Sequence, residues 1–122
     1  MDEALIIDDN RVTAQALRQM LKVLGYPCQV IHVPNQAMDL LNQGFKPLFV
    51  CLDLHMPGIG GFDILRYMRT VPALAPVPVF VVTSDDQPET RRKALELGAT
   101  DLIIKPATFD ALEAALATAN LD

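Results

Sequence analysis

Apolar and polar positions follow two alternating rhythms along this chain. Ala4-Leu5-Ile6-Ile7 is a short unbroken apolar run, as expected of a strand covered on both faces. It stops at Asp8-Asp9-Asn10. Over residues 11–24 the rhythm becomes helical, with Val12, Ala16, Leu17, Met20, Leu21 and Leu24 recurring on one side and Gly25 ending the run. Residues 29–33 read as a second strand. Asn35 is placed to cap a short helix carrying Ala37, Met38, Leu40 and Leu41, closed by Gly44. Residues 48–52 form a third apolar run, ending at Asp53, and residues 62–68 return to helical spacing through Phe62, Leu65 and Met68. Pro78 opens a fourth strand, Val79-Phe80-Val81-Val82, which ends at Thr83-Ser84. Pro88 suits the first turn of a helix that reaches Leu97 before Gly98. Leu102-Ile103-Ile104 is the fifth strand, ending at Lys105-Pro106, and Thr108 caps a last helix to about Asn120.

Strands that alternate with helices in this way predict an α/β fold, a parallel sheet with helices on both faces. Right-handed crossovers bring every strand C-terminus to one edge, where open sheets of this kind bind ligands. The 122 residues suffice for one domain, 1–122, with its own core. The apolar content of 51% agrees with a globular chain.

Composition then removes several classes of function. No apolar run nears the roughly 20 residues that span a bilayer, and the N-terminus lacks the basic-then-apolar pattern of a secretory signal. The net charge of −5 disfavours direct nucleic-acid binding, which needs a basic face. Cys28 and Cys51 both sit in apolar runs and read as small core residues, consistent with a reduced, cytoplasmic setting.

The chemistry is concentrated at the strand ends. Strand one ends in Asp8-Asp9, strand three in Asp53, strand four in Thr83 and strand five in Lys105. Carboxylates gathered in one pocket repel, and a divalent cation relieves them. A donor set of oxygens without His or thiolate favours Mg²⁺ or Mn²⁺ over zinc. A carboxylate is also a covalent nucleophile toward phosphate. Lys105 can neutralise charge on a transferring group and Thr83 can hydrogen-bond one of its oxygens. The set lacks a general base for water, so it is suited to taking a phosphoryl group and holding it. A plainer reading exists for each residue alone: Asp8-Asp9-Asn10 as a helix cap, Asp53 as a loop acid, Thr83-Ser84 as a turn and Lys105 as a solvated charge. The His55 side chain is expected in solvent, and His32 is expected in the core or at a sheet edge. Glu89, Arg91, Arg92, Lys93 and Glu96 read as a solvated helix face.

The runs Leu5-Ile6-Ile7-Asp8-Asp9-Asn10, Leu52-Asp53-Leu54-His55-Met56-Pro57-Gly58, Val81-Val82-Thr83-Ser84 and Ile104-Lys105-Pro106 together resemble the response-regulator receiver domain of two-component signalling, of the chemotaxis-regulator type. That resemblance covers essentially the whole chain. It implies a flavodoxin-like sheet of order 2-1-3-4-5 and a signalling phosphoacceptor rather than an enzyme. Asp53 would be the phosphorylation site. Asp9 would bind Mg²⁺ directly and Asp8 through water, with the main-chain carbonyl of His55 completing the protein ligands. Thr83 and Lys105 would contact phosphoryl oxygens, and the Lys105–Pro106 peptide would be cis. The upstream partner would be a histidine kinase or histidine phosphotransfer protein, docking near the first helix. The downstream target or output domain is not specified, and both a stand-alone protein and a piece of a larger regulator fit. The run from Asp8 to Tyr26 is similar to receivers attached to hybrid kinases.

Three positions depart from the family pattern. Gly60 stands where an Asp is usual and can still serve as a helix N-cap. Leu102 replaces the Tyr or Phe that turns inward on phosphorylation, so output would rest on Thr83 and on the loop and helix after it. The last helix has no Lys or Arg, which disfavours the charge-paired dimer of winged-helix regulators. His55 and Asp85 flank the approach of water and would tune the lifetime of the phosphate. A phosphorylation-independent pseudo-receiver is the alternative function. A haloacid-dehalogenase-type phosphatase would need an Asp where His55 stands, and a flavin carrier would need an uncharged phosphate loop in place of Asp8-Asp9.

Overall fold

The computed structural model describes residues 2–121. The chain runs β1 (Ala4–Ile7), α1 (Arg11–Val23), β2 (Cys28–Ile31), α2 (Pro34–Asn42), β3 (Val50–Leu52), α3 (Gly61–Thr70), β4 (Val79–Thr83), α4 (Pro88–Glu96), β5 (Asp101–Ile104) and α5 (Phe109–Thr118). All strand pairs are parallel and the order is β2-β1-β3-β4-β5. The expected α/β architecture and strand order are both present. Among the described residues, no helix is long and apolar enough to cross a membrane.

Side-chain alternation on the central strands divides the core in two. Leu5, Ile7, Val50, Leu52, Val79 and Val81 face one layer, packed under α2, α3 and α4 with Ile64, Leu65, Met68 and Ala94. Ala4, Ile6, Cys51, Phe80 and Val82 face the other, packed under α1 and α5 with Leu17, Leu21, Leu112 and Leu116. Burial on both faces explains why the central strands read as continuous apolar runs. Leu102 belongs to the first layer and its neighbour Ile103 to the second.

Several boundaries differ from the sequence expectation. The second strand is Cys28–Ile31 rather than 29–33, because Val33 becomes the N-cap of α2. Asn35 is therefore not the cap. Pro34 occupies the first helical position, where its fixed φ fits and its missing N–H costs nothing, so Asn35 lies inside the first turn. The third strand is shorter than 48–52, although Phe49 still accepts a hydrogen bond from Leu5 N–H at 3.0 Å. Thr108 caps α5 as expected, accepting from Ala111 N–H, but the helix closes at Thr118, and Asn120 has a φ of 60°. Both cysteines are buried free thiols. Burial pushes the Cys28 thiol up to about 11 and raises Cys51 further, so both remain neutral and serve as packing.

Candidate functional site

The site lies at the C-terminal edge of the sheet, where β1 and β3 adjoin and their following helices depart to opposite faces. Asp8 follows the last residue of β1 and is 2% exposed. Its carboxylate accepts from Asn10 N–H at 2.9 Å and from the Lys105 ammonium at 3.1 Å. Asn10 is the N-cap of α1, accepting from Thr13 N–H at 3.0 Å. The capping role of the Asp8-Asp9-Asn10 run therefore falls to Asn10, and both acids remain available to the cluster.

Asp53 follows β3 and is 6% exposed, its N–H donating to the Ile7 carbonyl at 2.9 Å. One oxygen of Asp8, Asp9 and Asp53 each can be chosen so that all three lie within 4.8 Å of one another. Asp9 is the exposed member. Lys105 is 3.4 Å from the Asp53 carboxylate, so a single ammonium spans two of the three acids. Burial raises the Asp53 carboxyl above its ordinary range, and the Asp8 charge raises it further. Lys105 and a hydrogen bond from the His55 backbone oppose that rise. Three carboxylates against one ammonium leave excess negative charge in an all-oxygen pocket, which is the donor chemistry of a hard divalent cation.

Thr83, the last residue of β4, is fully buried, and its carbonyl accepts from Lys105 N–H at 2.8 Å. That bond ties the ends of β4 and β5 together. The Thr83 hydroxyl oxygen accepts from Asp85 N–H at 3.1 Å, leaving its own proton free to donate. The Lys105–Pro106 peptide is cis. Thus Asp8, Asp9, Asp53 and Lys105 meet directly, with Thr83 joined to them through the Lys105 backbone.

His55 has an exposed imidazole, as expected, and it faces the Asp85 carboxylate at 4.0 Å. His32 sits just past the edge strand β2, half-buried, with Nδ1 2.9 Å from the Asp8 carbonyl oxygen. Because that oxygen only accepts, Nδ1 carries the proton. Asp85 does more than its place in the sequence suggested. Its two oxygens accept from Gln87 N–H at 3.0 Å and from the Thr90 hydroxyl at 2.7 Å. Those bonds hold its carboxyl below the usual range, the Thr90 hydroxyl contributing most.

Gly61 and Arg69 escaped the sequence reading. A Cβ on Gly61 would lie 2.3 Å from the Asp53 carbonyl oxygen and 2.8 Å from Leu54 Cα. Only glycine lets α3 begin directly against the strand that presents Asp53. Gly60, the departure noted above, is the N-cap without a side-chain cap bond, and Asp63 reaches back to accept from Gly60 N–H at 3.2 Å. The adjacent glycines at a helix start were the available signal for Gly61, since one of them serves the cap and leaves the other to be explained. Arg69 donates to the carbonyls of Gly98 (2.8 and 3.0 Å), Val77 (2.8 Å), Ala75 (3.1 Å) and Leu74 (3.5 Å). Nothing in its local sequence marks that role.

Comparison with known proteins agrees with this fold. The family model for the response regulator receiver domain matches residues 4–117. Response regulator MprA of Mycobacterium avium is 30% identical over 108 residues, covering 88% of this chain and 46% of that protein. The chain thus spans less than half the length of the curated relatives it matches. The receiver domain of a DNA-binding response regulator from Colwellia psychrerythraea is 32% identical, with a TM-score of 0.87 over 96% of each chain. A response regulator from Burkholderia pseudomallei, solved with a phosphorylated aspartic acid, calcium ion and citrate, is 28% identical. Its TM-score is 0.82, over 95% of this chain and 66% of that one. The fold and the family match define a two-component signalling domain. The chain belongs to the response regulator receiver domain family.

Proposed function

We propose that this chain is the phosphoacceptor of a two-component or phosphorelay pathway and that Asp53 carries the phosphoryl group. The supporting observation is the Lys105 ammonium held 3.4 Å from Asp53 and 3.1 Å from Asp8 within a cluster of three carboxylates. An Asp53 oxygen attacks the phosphorus of a phosphohistidine whose other ring nitrogen already carries a proton from solvent, the new P–O bond forms as the P–N bond breaks, and the imidazole leaves as the neutral base with the P–N electron pair. Lys105 balances charge on the phosphoryl oxygens, and the Thr83 hydroxyl donates to one of them. Asp9 and Asp53, with Asp8 through water and the His55 main-chain carbonyl, would hold Mg²⁺ or Mn²⁺, which supplies further neutralisation of charge between nucleophile and phosphate. The Burkholderia relative, with its phosphorylated aspartate and calcium ion, supports both assignments.

The phosphodonor is a histidine kinase or phosphotransfer protein in the cytoplasm, docking at α1. Val12 is 82% exposed at the start of that helix. With Ala16, Met20, Pro106 and Ala107 it lines an apolar groove of about 390 Å³ that reaches Lys105. The charges on α1, Arg11, Arg18 and Lys22, are all positive, which suits an acidic partner rim.

Incubation with a small phosphodonor and Mg²⁺, read by intact mass, tests the reading. Wild type gains the mass of one phosphoryl group, and Asp53→Asn gains none. A wild-type chain that stays unmodified while binding its partner favours the pseudo-receiver alternative.

A further inference from the structure

We infer that His32 is a positioning residue for the cation site: its imidazole holds the peptide that joins Asp8 to Asp9 and so sets the affinity of that pair for a divalent cation. This inference rests on the reading of Asp8 and Asp9 as Mg²⁺ ligands. It assigns a task to a residue outside the carboxylate cluster.

Strand β1 delivers the two acids, and its neighbour β2 stands at the edge of the sheet. The two strands pair from Ala4 with Cys28 to Ile7 with Ile31. The last backbone rung is Asp8 N–H to the Ile31 carbonyl at 3.1 Å. Beyond it the chain turns away into α2. Val33 is the extended N-cap of that helix and precedes Pro34, which has no N–H to give. The Asp8 carbonyl takes its hydrogen bond from a side chain instead, His32 Nδ1 at 2.9 Å. The imidazole thus extends the ladder by one rung after the backbone has left it. Nδ1 donates both in the neutral tautomer protonated there and in the imidazolium, so the bond is kept in either charge state.

That rung falls between the two acids. The Asp8 carbonyl belongs to the planar peptide that also contains the Asp9 nitrogen, so a bond to it fixes the tilt of both residues together. Asp8 has further restraints, since its carboxylate oxygens accept from Asn10 N–H and from the Lys105 ammonium. Asp9 is the exposed member of the cluster, and the shared peptide ties it to the sheet. Rotation of that peptide would swing the Asp9 carboxylate away from Asp8 and Asp53, with which it now converges within 4.8 Å. Mg²⁺ demands near-octahedral oxygen geometry, so a loosened Asp9 lowers affinity. His32 acts through the backbone and touches no reacting atom.

Calorimetric titration of the metal-free chain with MgCl₂ reads the effect. His32→Phe keeps a ring of similar size and removes the donor. It weakens Mg²⁺ binding roughly tenfold, the lower end of the range for groups that orient metal ligands from outside. His32→Asn puts an amide N–H in the place of Nδ1 and recovers most of the affinity, whereas His32→Gln, with its donor one bond further out, does not. Val30→Ala thins the packing of the same edge strand. It lowers the urea midpoint and leaves Mg²⁺ affinity unchanged, which separates positioning from stability. With a small phosphodonor, His32→Phe needs more Mg²⁺ for half-maximal phosphorylation, by the same factor, and reaches the wild-type rate at saturation. In chelator, nitrogen-15 NMR of wild type shows the proton on His32 Nδ1. A His32→Phe affinity equal to wild type, an Asn variant no better than Phe, an equal loss in Val30→Ala, or a ring protonated only at Nε2 overturns the inference. Asp9→Ala that binds Mg²⁺ as tightly as wild type defeats the reading of the cation site, and this inference with it. Binding lost in Asp9→Ala and intact in His32→Phe defeats the positioning alone.

Discussion

Replacing Gly61 with alanine puts a methyl carbon 2.3 Å from the Asp53 carbonyl oxygen, 2.8 Å from Leu54 Cα and 3.0 Å from the Asp53 carbonyl carbon. The first of these is about 1 Å short of an ordinary carbon–oxygen contact. All three neighbours are backbone, so no side-chain rotation relieves the clash. The Asp53 N–H is bonded to Ile7 and the Gly61 N–H to Leu54, so neither β3 nor α3 can move without losing ladder or loop hydrogen bonds. The cost falls at the upper end of overpacking, about 3 kcal/mol. With a urea slope of about 1.5 kcal/mol per M, the unfolding midpoint drops by about 2 M. The strain is delivered to the residue that carries Asp53. A displacement of that carboxylate by about 1 Å costs on the order of 100-fold in phosphorylation rate. Gly60 is the built-in control, since a Cβ there meets only Asp63 Oδ2 at 3.6 Å and the Leu54 carbonyl at 3.8 Å. Gly60→Ser keeps the cap and changes stability by only a few tenths of a kcal/mol. Paired urea titrations and phosphorylation time courses decide the matter. Indistinguishable behaviour of Gly61→Ala and Gly60→Ser would refute the steric reasoning.

Three further outcomes follow from the same geometry. Asp53 is held above the ordinary carboxyl range, so the folded chain binds that proton more tightly than the unfolded chain. The cost of its charge is present above the folded pKa and absent below the unfolded value. With chelator at about pH 8, Asp53→Asn is therefore more stable than wild type, and the difference closes as pH falls into the ordinary carboxyl range. A urea-midpoint gap that widens in acid contradicts this. Added Mg²⁺ stabilises wild type by about 1.4 kcal/mol at ten times its Kd, read as a rise in melting temperature. Asp9→Ala and Asp53→Asn respond weakly or not at all, and an equal response in all three places the ion elsewhere. Arg69→Ala loses every donor to the Gly98, Val77, Ala75 and Leu74 carbonyls and costs about 3 kcal/mol by urea denaturation. Arg69→Lys recovers less than half, because an ammonium cannot reproduce the planar fork.

The elements with strong periodicity were legible in the sequence. Central strands buried on both faces announce themselves as Ala4–Ile7 and Val79–Thr83 do, and glycine ended α1, α2 and α4 close to where expected. Chemistry placed at strand ends was legible too, since parallel topology brings those ends to one edge whatever the helices do. Misplacements arose where two local signals competed. At Pro34-Asn35 the proline's fixed φ outweighed the asparagine's capping side chain and started α2 two residues earlier. The Asp8-Asp9-Asn10 run offered several caps, and only three-dimensional packing shows that Asn10 takes the task while both acids join the carboxylate cluster. Arg69 reaches the Gly98 carbonyl 29 residues away in sequence. Asp85 pairs with Thr90 by a turn geometry that no periodicity encodes. Contacts that depend on one rotamer or one close approach leave no trace in a pattern of apolar positions.

The division of the core into two layers has a consequence for how such a chain can change. Residues beneath α1 and α5 pack together on one side of the sheet, and those beneath α2, α3 and α4 on the other. The strands form a partition that transmits little repacking from one side to the other, and the polar groups along its rim provide a passage between them. A substitution at Val12 or Met20 therefore leaves the footing of α4 undisturbed, and one beneath α4 spares the α1 groove. The two faces of the sheet are separate compartments, so the packing of each can be rewritten without the other.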